Sequence, residues 1–237
     1  MSKPSDMPLT DPVPEPPALR AVLRRRAEVA REVWALVLEL PEPIDFAPGQ
    51  FARVDVAPGE WRDYSIARLD GRELTLLIDT AFGGAGGEFV ATLAVGDAVS
   101  LRAPLGEFRL MESPRPKVFI ATGTGLAPLL PMLQQLADQR HSLPVRLFFG
   151  CATRDRNFLP VYLPALRSLK LHARLCLTRE SSCQAAEFCG RVTQAVAEAG
   201  LDWPGSDIYA AGNPQMVADI QTLAARHQAR HLYTEGY

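Results

Sequence analysis

The sequence predicts a two-domain protein: an antiparallel β-barrel followed by an α/β doubly wound parallel sheet. Three observations predict it. In the first half, short runs rich in Val, Leu, Ile and Phe are separated by Pro-Gly, Asp-Gly and Gly-Asp turns, the texture of antiparallel strands. In the second half, short apolar runs alternate with helix-length amphipathic stretches, which calls for a parallel sheet with helices on both faces. The change comes once, near "MESPRPK" at 111–117. The chain of 237 residues is long for one compact domain and comfortable for two.

In chain order, residues 1–17, "MSKPSDMPLTDPVPEPP", hold six prolines and no apolar stretch, and read as a disordered leader. The barrel domain is expected over 18–112, with strands at Val33–Leu40, Phe51–Val56, Tyr64–Ala67, Glu73–Asp79 and Ala98–Leu101. The second domain is expected over 113–237. Its strands fall at Val118–Ala121, Val145–Gly150, Ala173–Thr178, Asp207–Ala210 and His231–Tyr233. Helical patterns lie between them at Ala127–Gln139, Pro160–Leu169, Val192–Ala199 and Pro214–His227.

Composition narrows the function. With 47% hydrophobic and 22% charged residues the chain is an ordinary globular protein, and a formal charge of −2 offers no basic field for nucleic acid. The longest apolar stretch, Val118–Leu136, is interrupted by glycines and prolines, so no membrane span is expected and a cytoplasmic location is. In that compartment Cys151, Cys176, Cys183 and Cys189 are expected to remain thiols. Their spacings fit neither a zinc site nor a plant-type iron–sulfur run, and no metal is expected.

Residues 121–128, "ATGTGLAP", close the first strand of the second domain in two glycines. Gly123 and Gly125 let backbone N–H groups approach a pyrophosphate, the following helix start adds partial positive charge, and Pro128 suits a first helical turn. A glycine turn also serves purely conformational ends, and its spacing is not that of the Rossmann fingerprint.

The other motifs decide between these readings. In order they are Pro48-Gly49-Gln50-Phe51, Arg62-Asp63-Tyr64-Ser65, Gly83-Gly84-Ala85-Gly86-Gly87, "PLGEF" at 104–108, "ATGTGLAP", and Gly212-Asn213-Pro214-Gln215-Met216. In this order, over residues 18–237, the chain resembles the ferredoxin–NADP reductase superfamily. The resemblance implies an FAD-binding barrel, an NAD(P)H-binding domain and electron transfer to a one-electron carrier.

It also implies roles. Arg62 would pair with the flavin phosphates through its planar fork of donors, Tyr64 would stack on the isoalloxazine, and Ser65 would hydrogen-bond its reactive nitrogen. Gly84, Gly86 and Gly87 would offer N–H groups to the pyrophosphate, ahead of a short helix over Glu88–Leu93. The family usually has Ser or Thr where Gly87 stands, which leaves FAD against FMN open. Thr124 would sit beside the nicotinamide, with Gly123, Gly125 and Gly212 against the dinucleotide. Arg179 and Arg191 would meet a 2′-phosphate and favour NADPH. The Gly-Arg pair also occurs in NADH-using relatives, and Cys151 replaces an arginine of some NADPH enzymes, so both nucleotides stay open. Ala211 stands where the family frequently has cysteine. The ending "YTEGY" resembles plant-type members: Tyr237 would cover the flavin face that nicotinamide must reach, and Glu235 would hold a proton near Ser65.

The expected function is therefore an FAD-dependent NAD(P)H oxidoreductase. With no ferredoxin-like segment in the sequence, its expected acceptor is a separate ferredoxin, flavodoxin or oxygenase component. Two alternatives stand beside it: an NAD(P)H:flavin reductase that releases its flavin, and an electron-relay flavoprotein subunit of a larger complex.

Overall fold

A computed structural model describes residues 15–237. The expected disordered leader lies mainly outside the described residues, apart from Glu15–Pro17.

Six strands form the first unit: β1 (Leu19–Ala30), β2 (Val33–Glu39), β3 (Phe51–Ala57), β4 (Glu60–Asp70), β5 (Glu73–Asp79) and β6 (Ala98–Leu105). They close into an antiparallel barrel in the order β1-β2-β5-β4-β3-β6. Alternation drives the closure: in β3, Ala52, Val54 and Val56 face the core while their neighbours are partly exposed. Strand β1 was not expected. Its register against β2 shifts between Leu23 and Arg25, so the alternation of buried Ala21 and Leu23 breaks at an exposed arginine pair.

Helix α1 (Gly84–Thr92) packs beside β3 and β5. It starts earlier than the expected Glu88–Leu93, so the glycines form its first turn rather than a loop before it. Their N–H groups remain without intrahelical partners, as in any first turn.

The second unit is a six-stranded parallel sheet in the order β10-β9-β8-β7-β11-β12. Its strands are β7 (Lys117–Thr122), β8 (Val145–Cys151), β9 (Leu171–Leu177), β10 (Glu187–Cys189), β11 (Asp207–Gly212) and β12 (His231–Gly236). Helices α2 (Leu129–Asp138), α3 (Leu159–Tyr162), α4 (Val192–Glu198) and α5 (Pro214–Arg226) connect them. The helix expected over Pro160–Leu169 is instead α3 followed by a 3-10 turn at Leu163–Leu166, because Pro164 has no N–H to continue an α-helix. Strand β10 escaped prediction because three residues at a sheet edge carry almost no periodic signal.

The expectation of four thiols is overturned: Cys183 and Cys189 form a disulfide. A turn in which the Glu187 N–H donates to the Gln184 carbonyl brings their Cα atoms within 5.6 Å, a separation a disulfide spans. Cys151 and Cys176 stay free, and burial pushes each thiol up to about 12.

One hydrophobic cluster crosses between the units. Val33, Ala67 and Leu77 of the barrel pack with Leu126, Leu129, Met132 and Leu133 around α2. Each leucine so buried contributes about 1.5–3 kcal/mol, and this shared cluster joins the two units along the boundary.

Candidate active site

The parallel sheet reverses direction of winding between β7 and β11, and a crevice opens at their carboxyl ends, where such folds bind ligands. Backbone fit dictates the glycines there. A Cβ at Gly125 would stand 2.2 Å from the Ala211 carbonyl oxygen, and one at Gly212 would stand 2.6 Å from the Thr122 carbonyl. Gly123, at φ 52°, turns the chain out of β7 into a 3-10 turn over Gly123–Leu126. The Thr122 hydroxyl accepts from the Asn213 N–H at 3.0 Å, and Asn213 Oδ1 caps α5 by accepting from Gln215 and Met216. Thr122 therefore ties the two crevice loops together, a role with no sequence signal.

Strand β12 runs parallel to β11, with Glu235 beside Ala211, and carries Glu235 and Tyr237 into the same crevice. The Tyr237 N–H donates to the Gly212 carbonyl at 3.2 Å, and its phenol donates to the Thr124 carbonyl at 3.3 Å.

The barrel supplies the opposite wall. Residues 60–65 of β4 pair with β3, while pairing with β5 begins only at Ile66. One edge of Arg62–Ser65 is thereby left open, and α1 closes on it so tightly that a Cβ at Gly86 would sit 2.5 Å from the Tyr64 phenol oxygen. A Cβ at Gly87 would meet nothing nearer than 3.8 Å, so the family's hydroxyl residue would fit there.

Ser65 is buried, and the Tyr237 phenol, which donates to Thr124, stands beside it. Enclosure pushes that phenol above its ordinary range, opposed by the Ser65 hydroxyl and assisted by the Glu235 charge. The residue as a whole, at the end of β12, is 54% exposed. Ser65, Thr124, Glu235 and Tyr237 are thus brought together from both domains. Arg62 lies at the mouth, half exposed, paired with Glu60 and donating to the Trp61 carbonyl at 3.1 Å. Beside it is a cleft of about 480 Å³ lined by Arg53, Trp61, Arg62, Asp63, Arg102 and Glu15.

Burial raises the Glu235 carboxyl to about 7, with the Asp63 charge as the second cause. Glu235 Oε2 is buried without a hydrogen-bond partner, an acceptor or proton-bearing atom aimed into the site. Asp63 was not singled out from sequence. It grips Arg53 through two bonds of 2.7 and 2.9 Å, and its charge adds to burial in raising the proton affinity of Glu235 across the domain boundary. The sign of the pH dependence follows: Glu235 holds its proton below about 7 and loses it above. If it supplies that proton during turnover, the rate falls as pH rises through 7, and Glu235→Gln flattens this limb. A limb near pH 7 that persists unchanged in the variant would remove Glu235 from that role.

Arg179 and Arg191 are not brought near Ser65. They lie at the outer edge of the sheet, after β9 and at the start of α4, exposed and outside every ion pair among the described residues. The acids of that edge are already engaged: Arg154 pairs with Glu180 at 3.0 Å and with Glu187 at 2.5 Å. Among the described residues no group of His, Cys, Asp and Glu is arranged to hold a metal, and no helix is long and apolar enough to cross a membrane.

The arrangement fits a dinucleotide flavin and a pyridine nucleotide facing each other. The glycine contacts leave room only for backbone, the first turn of α1 presents open N–H groups, and an orphaned carboxyl oxygen awaits a partner.

Comparison with known proteins accords with this geometry. Residues 20–110 match the oxidoreductase FAD-binding domain family and residues 119–222 the oxidoreductase NAD-binding domain family. The chain is 38% identical over 185 residues to the toluate 1,2-dioxygenase electron transfer component of Pseudomonas putida, covering 74% of this chain and 53% of that protein. It is 30% identical over 227 residues to the ferredoxin–NAD(+) reductase component of the alkene monooxygenase system of Xanthobacter autotrophicus, covering 93% of this chain and 69% of that one. The chain therefore spans only about half to two thirds of these relatives. Its fold superposes on a cytochrome P450 reductase from Amycolatopsis with a TM-score of 0.85 at 28% identity, covering 95% of this chain and 71% of that one.

Proposed function

Because the chain belongs to the ferredoxin–NADP reductase superfamily, we propose that it is an FAD-dependent NAD(P)H oxidoreductase that passes electrons to a one-electron acceptor protein. The acceptor we assign is a ferredoxin, a flavodoxin or an oxygenase component, in keeping with the names of the relatives. The observation that carries the reading is the meeting of Ser65 with Tyr237, Thr124 and Glu235 across the two domains. The domain boundary is placed between residues 112 and 113, supported by the matched ranges on either side. Dependence on the intracellular nucleotide pool supports a cytoplasmic location.

Bound FAD supplies the ability to accept two electrons from nicotinamide and release them one at a time. The chain's own residues do the rest. Arg62 and the first turn of α1, from Gly84 to Gly87, hold the diphosphate; Tyr64 supports the ring from one side; Ser65 donates or accepts at its reactive edge. Gly123, Thr124, Gly125 and Gly212 admit the nicotinamide dinucleotide along the crevice. Glu235 keeps a proton within the enclosed site, and Tyr237 excludes water until nicotinamide replaces it.

Stopped-flow mixing of the purified yellow protein with NADH and with NADPH tests this. Rapid bleaching of the flavin absorbance by either nucleotide is expected. A colourless protein that reduces only added flavin would establish the flavin-reductase alternative, and a yellow protein inert toward both would establish the relay subunit.

The choice of nucleotide is assigned to Arg179 and Arg191, the exposed guanidinium groups left unpaired at the adenosine edge. Replacing either by Ala is expected to raise KM for NADPH about tenfold and leave NADH nearly unchanged. Equal effects on both nucleotides would assign these arginines to the shared part of the dinucleotide.

A further inference from the structure

The 3-10 turn at Arg154–Arg156 follows β8 directly, at the carboxyl edge of the sheet where the nucleotide is read to lie. From it Arg156 reaches into the barrel. Its Nη1 donates to Glu32 Oε2 and its Nη2 to Asp79 Oδ2, both at 2.6 Å. The side chains of Arg156 and Asp79 are each only 16% exposed. The bond to Asp79 is thus an enclosed, charge-assisted one, whereas Glu32, 43% exposed, meets Arg156 nearer the surface.

The two acids frame one turn. The Thr80 N–H and hydroxyl both donate to the Glu32 carbonyl, at 2.9 and 3.2 Å, and the Ala81 N–H donates to Asp79 Oδ1 at 2.9 Å. That turn runs straight into Gly83 and the first turn of α1, where the flavin diphosphate is read to sit. A second strap lies alongside: the Arg31 N–H donates to the Asp155 carbonyl at 2.8 Å, and the Arg31 guanidinium reaches Asp155 at 3.2 Å. The apolar contact of Val33, Ala67 and Leu77 with α2 joins the domains independently of these bonds. What Arg156 fixes is local: the position of the 79–83 turn relative to the loop after β8.

We infer that Arg156 is a positioning residue that couples the flavin cradle to the nucleotide crevice, so that filling one site preorganises the other. The inference rests on the functional reading above. Without Arg156, Asp79 would lose its cation and Glu32 would keep only the longer 3.9 Å contact with Arg31, so the turn would be tied to the loop only indirectly, through the Arg31–Asp155 strap. With it, flavin that orders the turn also orders the loop, and linkage makes the effect reciprocal.

ADP-ribose tests this, because it lacks the nicotinamide ring that would touch the flavin directly. Its affinity is measured by calorimetry on apo-protein and on FAD-loaded protein. In the wild type, FAD is expected to tighten ADP-ribose binding about fivefold to tenfold, within the usual range of coupling between sites. In Arg156→Ala the ratio falls to one while FAD is retained. Arg156→Lys gives an intermediate ratio, since a single ammonium does not span two carboxylates as the fork does. Asp79→Asn, which keeps the side-chain shape, lowers the ratio too and serves if the alanine variant misfolds. An unchanged ratio in the variants, or a ratio of one in the wild type, overturns the coupling and leaves the functional reading intact. Failure of the wild type to bind either ligand would instead overturn that reading and the coupling with it.

Discussion

Arg62→Ala is expected to lose its flavin on purification, with the dissociation constant for FAD raised about thirtyfold or more. The estimate comes from losing charge-assisted bonds to a phosphate, worth about 2 kcal/mol or more, at about 1.4 kcal/mol per factor of ten. In the structure the Arg62 guanidinium is half exposed and engaged with Glu60, two residues away. An exposed pair of that kind contributes less than about 1 kcal/mol, so it is readily exchanged for a diphosphate that accepts two parallel bonds. The same exposure makes the fold indifferent to the change: the thermal stability of the apo-variant should stay near that of wild-type apo-protein, which separates loss of cofactor from loss of structure. Arg62→Lys should fall between, keeping the charge and losing the fork. Titration of apo-protein with FAD, followed by quenching of flavin fluorescence, reads all three. Wild-type affinity in the alanine variant would move the diphosphate away from this end of β4 and require another anchor.

The residues on which this rests were legible because each is constrained by close backbone approach or by an order of motifs. Gly125 and Gly212 are glycines because no Cβ fits beside the neighbouring loop. Such constraints leave glycine at fixed offsets from strand ends, where a sequence shows them. Strands β3 and β5 show in the sequence as short apolar runs bounded by turns; β3 also alternates, with one face buried, while β5 buries Leu76, Leu77 and Ile78 in succession. Where neither pattern holds, prediction failed: β1 bulges after Leu23, and its exposed arginines conceal the strand. Asp63 and Thr122 act through partners far along the chain, Asp63 on Glu235 and Thr122 on Asn213, and no local spacing marks such pairs. Cysteine spacing carries no sign of the disulfide, because the turn at Gln184–Glu187 decides that Cys183 and Cys189 meet. Arg156 belongs with these: its meaning lies in two acids of another domain, Glu32 and Asp79.

Tyr237→Ser is expected to bind oxidised nucleotide more tightly, by about thirtyfold. The reason is a conflict of space. Tyr64 approaches from the barrel side and Tyr237 from the sheet side, with Ser65 beside the Tyr237 phenol. A flat ring held at Ser65 therefore meets Tyr237 on the face that nicotinamide needs. The Tyr237 ring is tethered there by its hydrogen bond to Thr124 and by the bond of its own N–H to Gly212, so nicotinamide must displace it to lie flat. Aromatic stacking contributes about 1 kcal/mol beyond burial, and the apolar area of the ring adds a similar amount. Together they give about 2 kcal/mol, the source of the thirtyfold figure. The competition falls on the nicotinamide, which both nucleotides share, so the ratio of their affinities is left to the adenosine end, where Arg179 and Arg191 are read to discriminate. Removing it returns affinity to both nucleotides alike. A long-wavelength charge-transfer band should strengthen as nicotinamide lies against the flavin, and turnover should fall because product leaves more slowly. Spectral titration with NAD+ and NADP+ reads affinity and band together. Unchanged affinity with no new absorbance would mean that Tyr237 does not occupy the nicotinamide position, and that its bond to Thr124 shapes the crevice without closing it.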